Sequence, residues 1–307
     1  MSRVNDARRR AVERQEGLSG STPLAGSPPS EFSVEPEVTE PPFHDDVTED
    51  LPPNGLARQE SRQIEPDWGN FLALCKTIPF RPAPETHLIN TERPHDVPAE
   101  EFRSLRTRLN HVQSQQDLHS LVVTSASPAE GKTFTAVNLA IAQAQLESPV
   151  LLADLDLRRP VVHNLFQCER SPGFSDFLME KKPLQECVRR IENSNLYFLP
   201  AGSAVKNPLE LLNMRHVKHT FEGLRRLFNW IILDTPPLLF SADANLLSTL
   251  TDGTLLVVRI GSTTYDNVIR AIQTLCENNV VGIVANGARA GELYSKYTYY
   301  YSKPDDE

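Results

Sequence analysis

From about Glu100 onward, short apolar runs alternate with amphipathic stretches, and that alternation leaves few architectures open. The runs at 121–124, 150–154, 196–199, 230–234, 254–259 and 280–285 are apolar, often β-branched, and too short for helices. Runs apolar on both faces predict strands of a buried parallel sheet, with the amphipathic stretches as the connecting helices. One helix start is explicit at Asn207, Pro208 and Glu210, which suit the N-cap, N1 and N3 positions. The expectation is a single α/β domain with a mostly parallel central sheet flanked by helices.

The turn after the first run sharpens this. Ala126-Ser127-Pro128-Ala129-Glu130-Gly131-Lys132-Thr133 matches the phosphate-loop (Walker A) pattern, with Ala in place of the first Gly. A loop between a strand and a helix turns backbone N–H groups and the positive helix end toward phosphates. Lys132 can then reach the β- and γ-phosphates, and the Thr133 hydroxyl can ligate magnesium.

Two further motifs place carboxylates at strand ends. In Leu151-Leu152-Ala153-Asp154-Leu155-Asp156-Leu157-Arg158, alternation along an extended chain puts Asp154 and Asp156 on one side. Strands avoid Asp, and two on a buried sheet are costly unless they meet a metal, a cation or a substrate proton. The plainer reading is a solvated strand end closed by Arg158. Ile231-Ile232-Leu233-Asp234-Thr235-Pro236-Pro237 puts a third carboxylate at the C-terminal end of a strand, where open parallel sheets bind ligands.

Composition divides the rest. Residues 1–98 hold 14 of the 24 prolines, and residues 31–50 carry eight acidic residues without Lys or Arg. Such a segment buries too little apolar surface to offset chain entropy, so residues 1–85 are expected to be a mostly disordered Pro-rich extension. A short Arg-rich helix near 4–13 and a stretch at 68–75 that could dock on a partner are the exceptions. The domain is drawn at 86–290. A tail follows at 291–307, where Tyr294, Tyr297, Tyr299, Tyr300 and Tyr301 hold five of the seven tyrosines. A net charge of -9 and pI near 5.5 argue against a general nucleic-acid binder. No apolar run suits a membrane span or signal peptide, which points to the cytoplasm. Cys75, Cys168, Cys187 and Cys276 lack the spacing of a zinc site or disulfide framework.

On these motifs the chain, over about residues 85–301, resembles bacterial tyrosine kinases of the polysaccharide co-polymerase type. The shared features are the phosphate loop, Asp154, Asp156 and Arg158 as DxDxR, the motif from Asp234 to Pro237, and the tyrosine-rich tail. The resemblance implies a P-loop NTPase fold, with Mg-ATP as phosphoryl donor and the five tail tyrosines as autophosphorylation sites. It implies catalytic roles for Lys132, Asp154 and Asp156, with Asp154 favoured as base, and magnesium held by Thr133, Asp156 and Asp234. Nucleotide contacts would come from Ala126, Ser127, Ala129, Glu130, Gly131, Lys132, Thr133 and Phe134, with Arg158 and Asn286. Glu100, Arg103 and Arg106 read by themselves as a solvated helix face. In the family such an ExxRxxR helix packs on the next subunit of a ring.

The implied partners are a membrane-spanning, Wzz-like chain-length determinant that activates the kinase at the inner face of the plasma membrane, further copies of the chain, and a cognate tyrosine phosphatase. No nucleic acid is expected. The role implied is control of exopolysaccharide or capsule chain length and export. Two other readings compete. A ParA- or MinD-like positioning ATPase would share the sheet and loop, but such proteins resemble one another in a lysine where this chain has Ser127. A scaffold with a decayed site is set against the intact Lys132, Thr133 and three carboxylates.

Overall fold

The computed structural model describes residues 66–80, 89, 99–275 and 280–288, all within one compact unit, Glu60–Glu307. The expected helix at 4–13, Cys276 and the five tail tyrosines lie outside the described residues.

The fold opens with a single turn, α1 (Phe71–Leu74), and a three-residue strand, β1 (Lys76–Ile78). There follow α2 (Ala99–Gln113), β2 (Ser120–Ser125), α3 (Lys132–Ala144), β3 (Val150–Asp154), α4 (Val162–Leu165), α5 (Phe174–Leu178) and α6 (Leu184–Cys187). Next come β4 (Arg189–Ile191), β5 (Leu196–Leu199), α7 (Pro208–Leu212), α8 (Arg215–Leu224) and β6 (Trp230–Asp234). The described part ends with α9 (Ala242–Thr249), β7 (Gly253–Arg259), α10 (Tyr265–Thr274) and β8 (Val280–Asn286). The strands form one eight-stranded sheet in the order β1-β4-β5-β3-β6-β2-β7-β8, parallel except between β4 and β5.

The six expected strands are all present, within a residue or so at each end. For four of them the apolar character has a simple cause: every residue of β2, β3, β5 and β6 is buried, because helices cover both faces, whereas the edge strand β8, also expected to be buried, is partly exposed along its length, with Ile283 half exposed. Side chains alternate between two cores. Leu121, Val123, Leu152 and Ile232 pack with Phe102, Leu109 and Leu139 on the α2/α3 side. Val122, Leu151, Ala153, Ile231 and Leu233 pack with Phe174, Phe221 and Leu224 on the other. Each such Leu or Phe contributes roughly 1.5–3 kcal/mol by leaving water. α3 runs beneath α2, and its buried stretch from Thr135 to Ala144 explains its lack of a polar face.

The boundary at residue 85 moves upstream. Phe71 is fully buried, stacks on Trp68 with centroids 5.6 Å apart and meets Phe228 edge-on at 6.4 Å. A Cβ on Gly223 would stand 2.3 Å from the Trp68 ring, so the indole uses the space that glycine leaves. The 68–75 stretch, read from sequence as linker that could dock on a partner, docks on its own domain, and Lys76–Ile78 extends the sheet beside β4. Among the described residues no helix is long and apolar enough to cross a membrane.

Candidate active site

The parity of two neighbouring strands builds the site. Leu152 and Ile232 face α3, so Asp154 and Asp234, two residues further along, face it as well. The register pairs Asp154 with Asp234 directly across β3 and β6. α3 begins at Lys132, at the C-terminal edge of β2, which adjoins β6 on its other side. The sheet therefore delivers two carboxylates to the start of the helix that carries Lys132 and Thr133.

Their contacts are direct. Lys132 Nζ lies 3.1 Å from Asp156 Oδ2 and 3.6 Å from Asp234 Oδ1. Thr133 Oγ1 donates to Asp234 Oδ2 at 2.7 Å. Asp154 accepts the N–H of Asp156 at 3.3 Å and that of Val162 at 3.1 Å, and Asp156 accepts the N–H of Arg159 at 3.0 Å. Residues 154–162 thus form a turn held by its own carboxylates.

Charge is unevenly balanced here. Asp154 and Asp234 are wholly buried and Asp156 nearly so, while Lys132 supplies the ammonium in contact with the cluster. Burial, followed by repulsion from Asp234, pushes the Asp154 carboxyl up to about 8, against the pull of the Val162 N–H. Burial also lifts Asp234, to about 6, despite Lys132 and Thr133. For Lys132, burial alone would lower the pKa, but Asp234 and Asp156 outweigh it and the ammonium is held charged.

Asp234 Oδ1 is buried and makes no close hydrogen bond, with the Lys132 ammonium 3.6 Å away as its ion-pair partner. That oxygen, beside a hydroxyl and a second carboxylate, belongs to a hard-oxygen donor set with one ammonium for its carboxylates, and it fits a magnesium ion. Among the described residues no three His, Cys, Asp or Glu side chains form a complete metal cage. A cation here would complete its shell with water and phosphate oxygens, as magnesium usually does.

The loop before α3 is braced from three sides. Glu130 is buried; it accepts the Ser127 N–H at 2.9 Å and the Thr263 hydroxyl at 2.6 Å. Arg259 Nη1 donates to the Ala129 carbonyl at 3.2 Å, and Asn286 Nδ2 donates to that of Glu130 at 2.9 Å. Ala129 (φ 63°) and Gly131 (φ 98°) are left-handed, and a Cβ on Gly131 would fall 1.9 Å from Asn286 Nδ2. Glycine at the N-cap brings no side-chain cap, which leaves the helix end to an anion. The missing first Gly matters little, since Ala126 is a buried residue packed with Leu238 and Leu256.

Four expected site residues have side-chain partners within the chain itself. Arg158 does not join the Lys132 cluster: its Nε and Nη2 are bound to Asp243 at 2.8 and 3.0 Å. Phe134 turns its ring to Phe102, 5.8 Å away and edge-on. Arg106 donates inward to the Ala142 carbonyl at 2.7 Å and to Gln145 at 3.3 Å, so it fastens α2 to α3. Arg103 pairs with exposed Glu100 at 3.2 Å. Asp243, Thr263 and Arg259 were not anticipated. Ser241-Ala242-Asp243 reads as an ordinary helix start, and the others reach the site from 130 or more residues away in sequence.

Residues 123–278, just over half of the chain, match the AAA domain family. The chain is 33% identical over 221 residues to the tyrosine-protein kinase YwqD of Bacillus subtilis strain 168, covering 71% of this chain and 93% of that protein. It is also 33% identical over 224 residues to the tyrosine-protein kinase etk of Escherichia coli K12, covering 72% of this chain and 30% of that longer protein. The solved kinase domain of Escherichia coli tyrosine kinase ETK superposes with a TM-score of 0.62 at 32% identity, over 64% of this chain and 78% of that one.

Proposed function

The chain belongs to the bacterial tyrosine-protein kinases, and from that premise we propose that it transfers the γ-phosphoryl group of ATP to tyrosine, principally Tyr294, Tyr297, Tyr299, Tyr300 and Tyr301 of its own kind. The observation that carries the reading is the convergence of Lys132, Thr133 and three buried carboxylates beside an uncapped helix end.

The braced loop from Ala126 to Thr133 holds the phosphates, with Lys132 at the β- and γ-oxygens. Asn286, which donates to the loop backbone at the Glu130 carbonyl, is assigned to the adenine base. Thr133, Asp156 and Asp234 would hold magnesium, which when bound supplies positive charge for the phosphate oxygens. Asp154 takes the tyrosine proton as the phenolic oxygen bonds to phosphorus and the bond to the ADP oxygen breaks. A carboxylate raised toward neutrality by burial is better matched to that task than an ordinary one. Positioning and charge neutralisation are most of what phosphoryl transfer requires, and this cluster supplies both. Before nucleotide arrives, Lys132 rests on Asp156 and Asp234, so ATP binding exchanges carboxylate partners for phosphate ones.

The proposed setting is the inner face of the plasma membrane, beside a membrane-spanning chain-length determinant of Wzz type. There the kinase would assemble into a ring, be reversed by a tyrosine phosphatase and govern exopolysaccharide or capsule export. Glu100 and Arg103 remain candidates for the ring contact, whereas Arg106 acts through α3.

The test is incubation with Mg-ATP, with and without a cytoplasmic fragment of such a determinant, then mass spectrometry of the C-terminal peptide beside a Lys132→Met control. Phosphate on the tail tyrosines that vanishes in the control is the expected result. An unmodified tail with ATP consumed would favour a positioning ATPase.

A further inference from the structure

Arg158 and Asp243 form a pair that the phosphoryl-transfer reading leaves unused. Asp243 is the second residue of α9 and wholly buried, yet Arg158, its bidentate partner, is about half exposed. Burying a carboxylate is expensive, and pairing it this way seldom adds stability over an apolar pair of similar size. α9 has no need of it for packing, since Ala244 and Leu247 already bury its apolar side. The pair's position is its distinguishing feature. Arg158 sits in the 154–162 turn, whose carboxylates hold its own backbone, while Asp156 also meets Lys132 and the Leu155 N–H donates to the Asp234 carbonyl at 2.8 Å. Asp243 sits at the end of the segment that leaves Asp234, and its own N–H is capped by Ser241. Beyond the backbone ladder that joins Asp154 and Leu155 to Asp234, the pair therefore adds a side-chain tie between the turn carrying Asp156 and the segment that follows Asp234.

We propose that Asp243 and Arg158 are a positioning clasp for tyrosine phosphoryl transfer: joined by a two-bond fork, they set Asp156 against Lys132 and Asp234. The inference rests on the kinase reading. Lys132 Nζ contacts both Asp156 and Asp234, so a shift between the two loops alters both contacts together. Small misplacements of reacting groups cost rate far more than they cost binding. Only a planar guanidinium supplies two parallel donors, so lysine at 158 would keep the charge and lose the alignment. Arg158 acts through Asp156, not on nucleotide.

The experiment compares wild type with Arg158→Lys, Asp243→Asn and the apolar double variant Arg158→Met/Asp243→Leu in the full-length protein. It measures kcat and KM for ATP in tyrosine phosphorylation, affinity for fluorescent ADP, and Tm. Each variant is expected to lose kcat by roughly 10-fold or more, with KM and ADP affinity within about threefold of wild type. The double variant should keep its Tm and be no slower than the slower single variant, because both changes open one clasp. A double variant with wild-type kcat overturns the proposal. So does a loss residing in ADP affinity, which would make Arg158 a nucleotide ligand. Wild-type protein that hydrolyses ATP without modifying tyrosine would instead remove the kinase reading, and the clasp with it.

Discussion

The two ends of the same central strands treat their carboxylates in opposite ways. At the N-terminal end, Asp252 accepts the N–H groups of His119 and Ser120 at 3.0 and 2.7 Å and the Ser120 hydroxyl at 2.8 Å, and it takes Arg225 at 2.6 Å. Arg225 turns its other nitrogen to Asp117 at 2.8 Å. At the C-terminal end, Asp154, Asp156 and Asp234 crowd around Lys132, and Asp234 Oδ1 is left without a hydrogen bond. One end is satisfied and fastens the strands. The other is short of positive charge, a condition a fold keeps only where something else is to bind.

Substitutions at the two ends should therefore separate activity from stability. The largest effect is expected from Lys132→Met, which should lower tyrosine phosphorylation by about 10³-fold or more while the sheet still forms; a phosphotyrosine blot with circular dichroism checks both. Asp252→Ala should do the reverse. It leaves Arg225 and the Ser120 amide short of a partner and should cost about 1–3 kcal/mol in urea unfolding, with kcat per folded molecule unchanged. Equal damage to kcat from this change would break the comparison.

Gly131→Ala tests the loop alone. With φ at 98° and Asn286 in the way, the methyl group should cost about 1–2 kcal/mol and loosen ADP binding by roughly 10-fold. Titration calorimetry reads this directly.

A subtler effect follows from protonation. Folded Asp154 holds its proton up to about 8 and Asp234 up to about 6, whereas the unfolded chain releases both in the ordinary carboxylate range. Across that interval the folded state binds more protons, so stability falls as pH rises. Tm of the nucleotide-free protein should drop by a few degrees between pH 5 and 8, and Asp154→Ala should flatten the slope. A wild-type Tm that rises over this range would contradict the charge imbalance.

The contrast also explains what the sequence makes legible. Central strands read well because burial on both faces demands continuous apolar runs, as in Trp230–Asp234, and because Asp at such a strand end has few structural excuses. Lys76–Ile78 and Arg189–Ile191 escape notice, since each is three residues long and carries charge. Their pairing, not their composition, makes them strands. Trp68 and Phe71 sit beside a proline-rich stretch and suggest an outside partner, but their sockets, Gly223 and Phe228, lie some 150 residues onward in sequence. The convergence of Lys132 with the acidic motifs was readable from their placement at strand ends and from the family resemblance, whereas the strand order that brings them together was not. The commitment of Arg158 to Asp243, 85 residues away, was not, because a helix-start Asp is too common to single out.

The central claim is that this under-neutralised end delivers phosphate to tyrosine and not to water. The ratio of phosphotyrosine formed to ADP released, followed over a time course with partner fragment present, tests it most directly. The account predicts a ratio near one until the tail is filled, collapsing when Tyr294, Tyr297, Tyr299, Tyr300 and Tyr301 are all changed to phenylalanine. ADP release that continues unchanged while phosphotyrosine stays absent from the wild-type chain would contradict it.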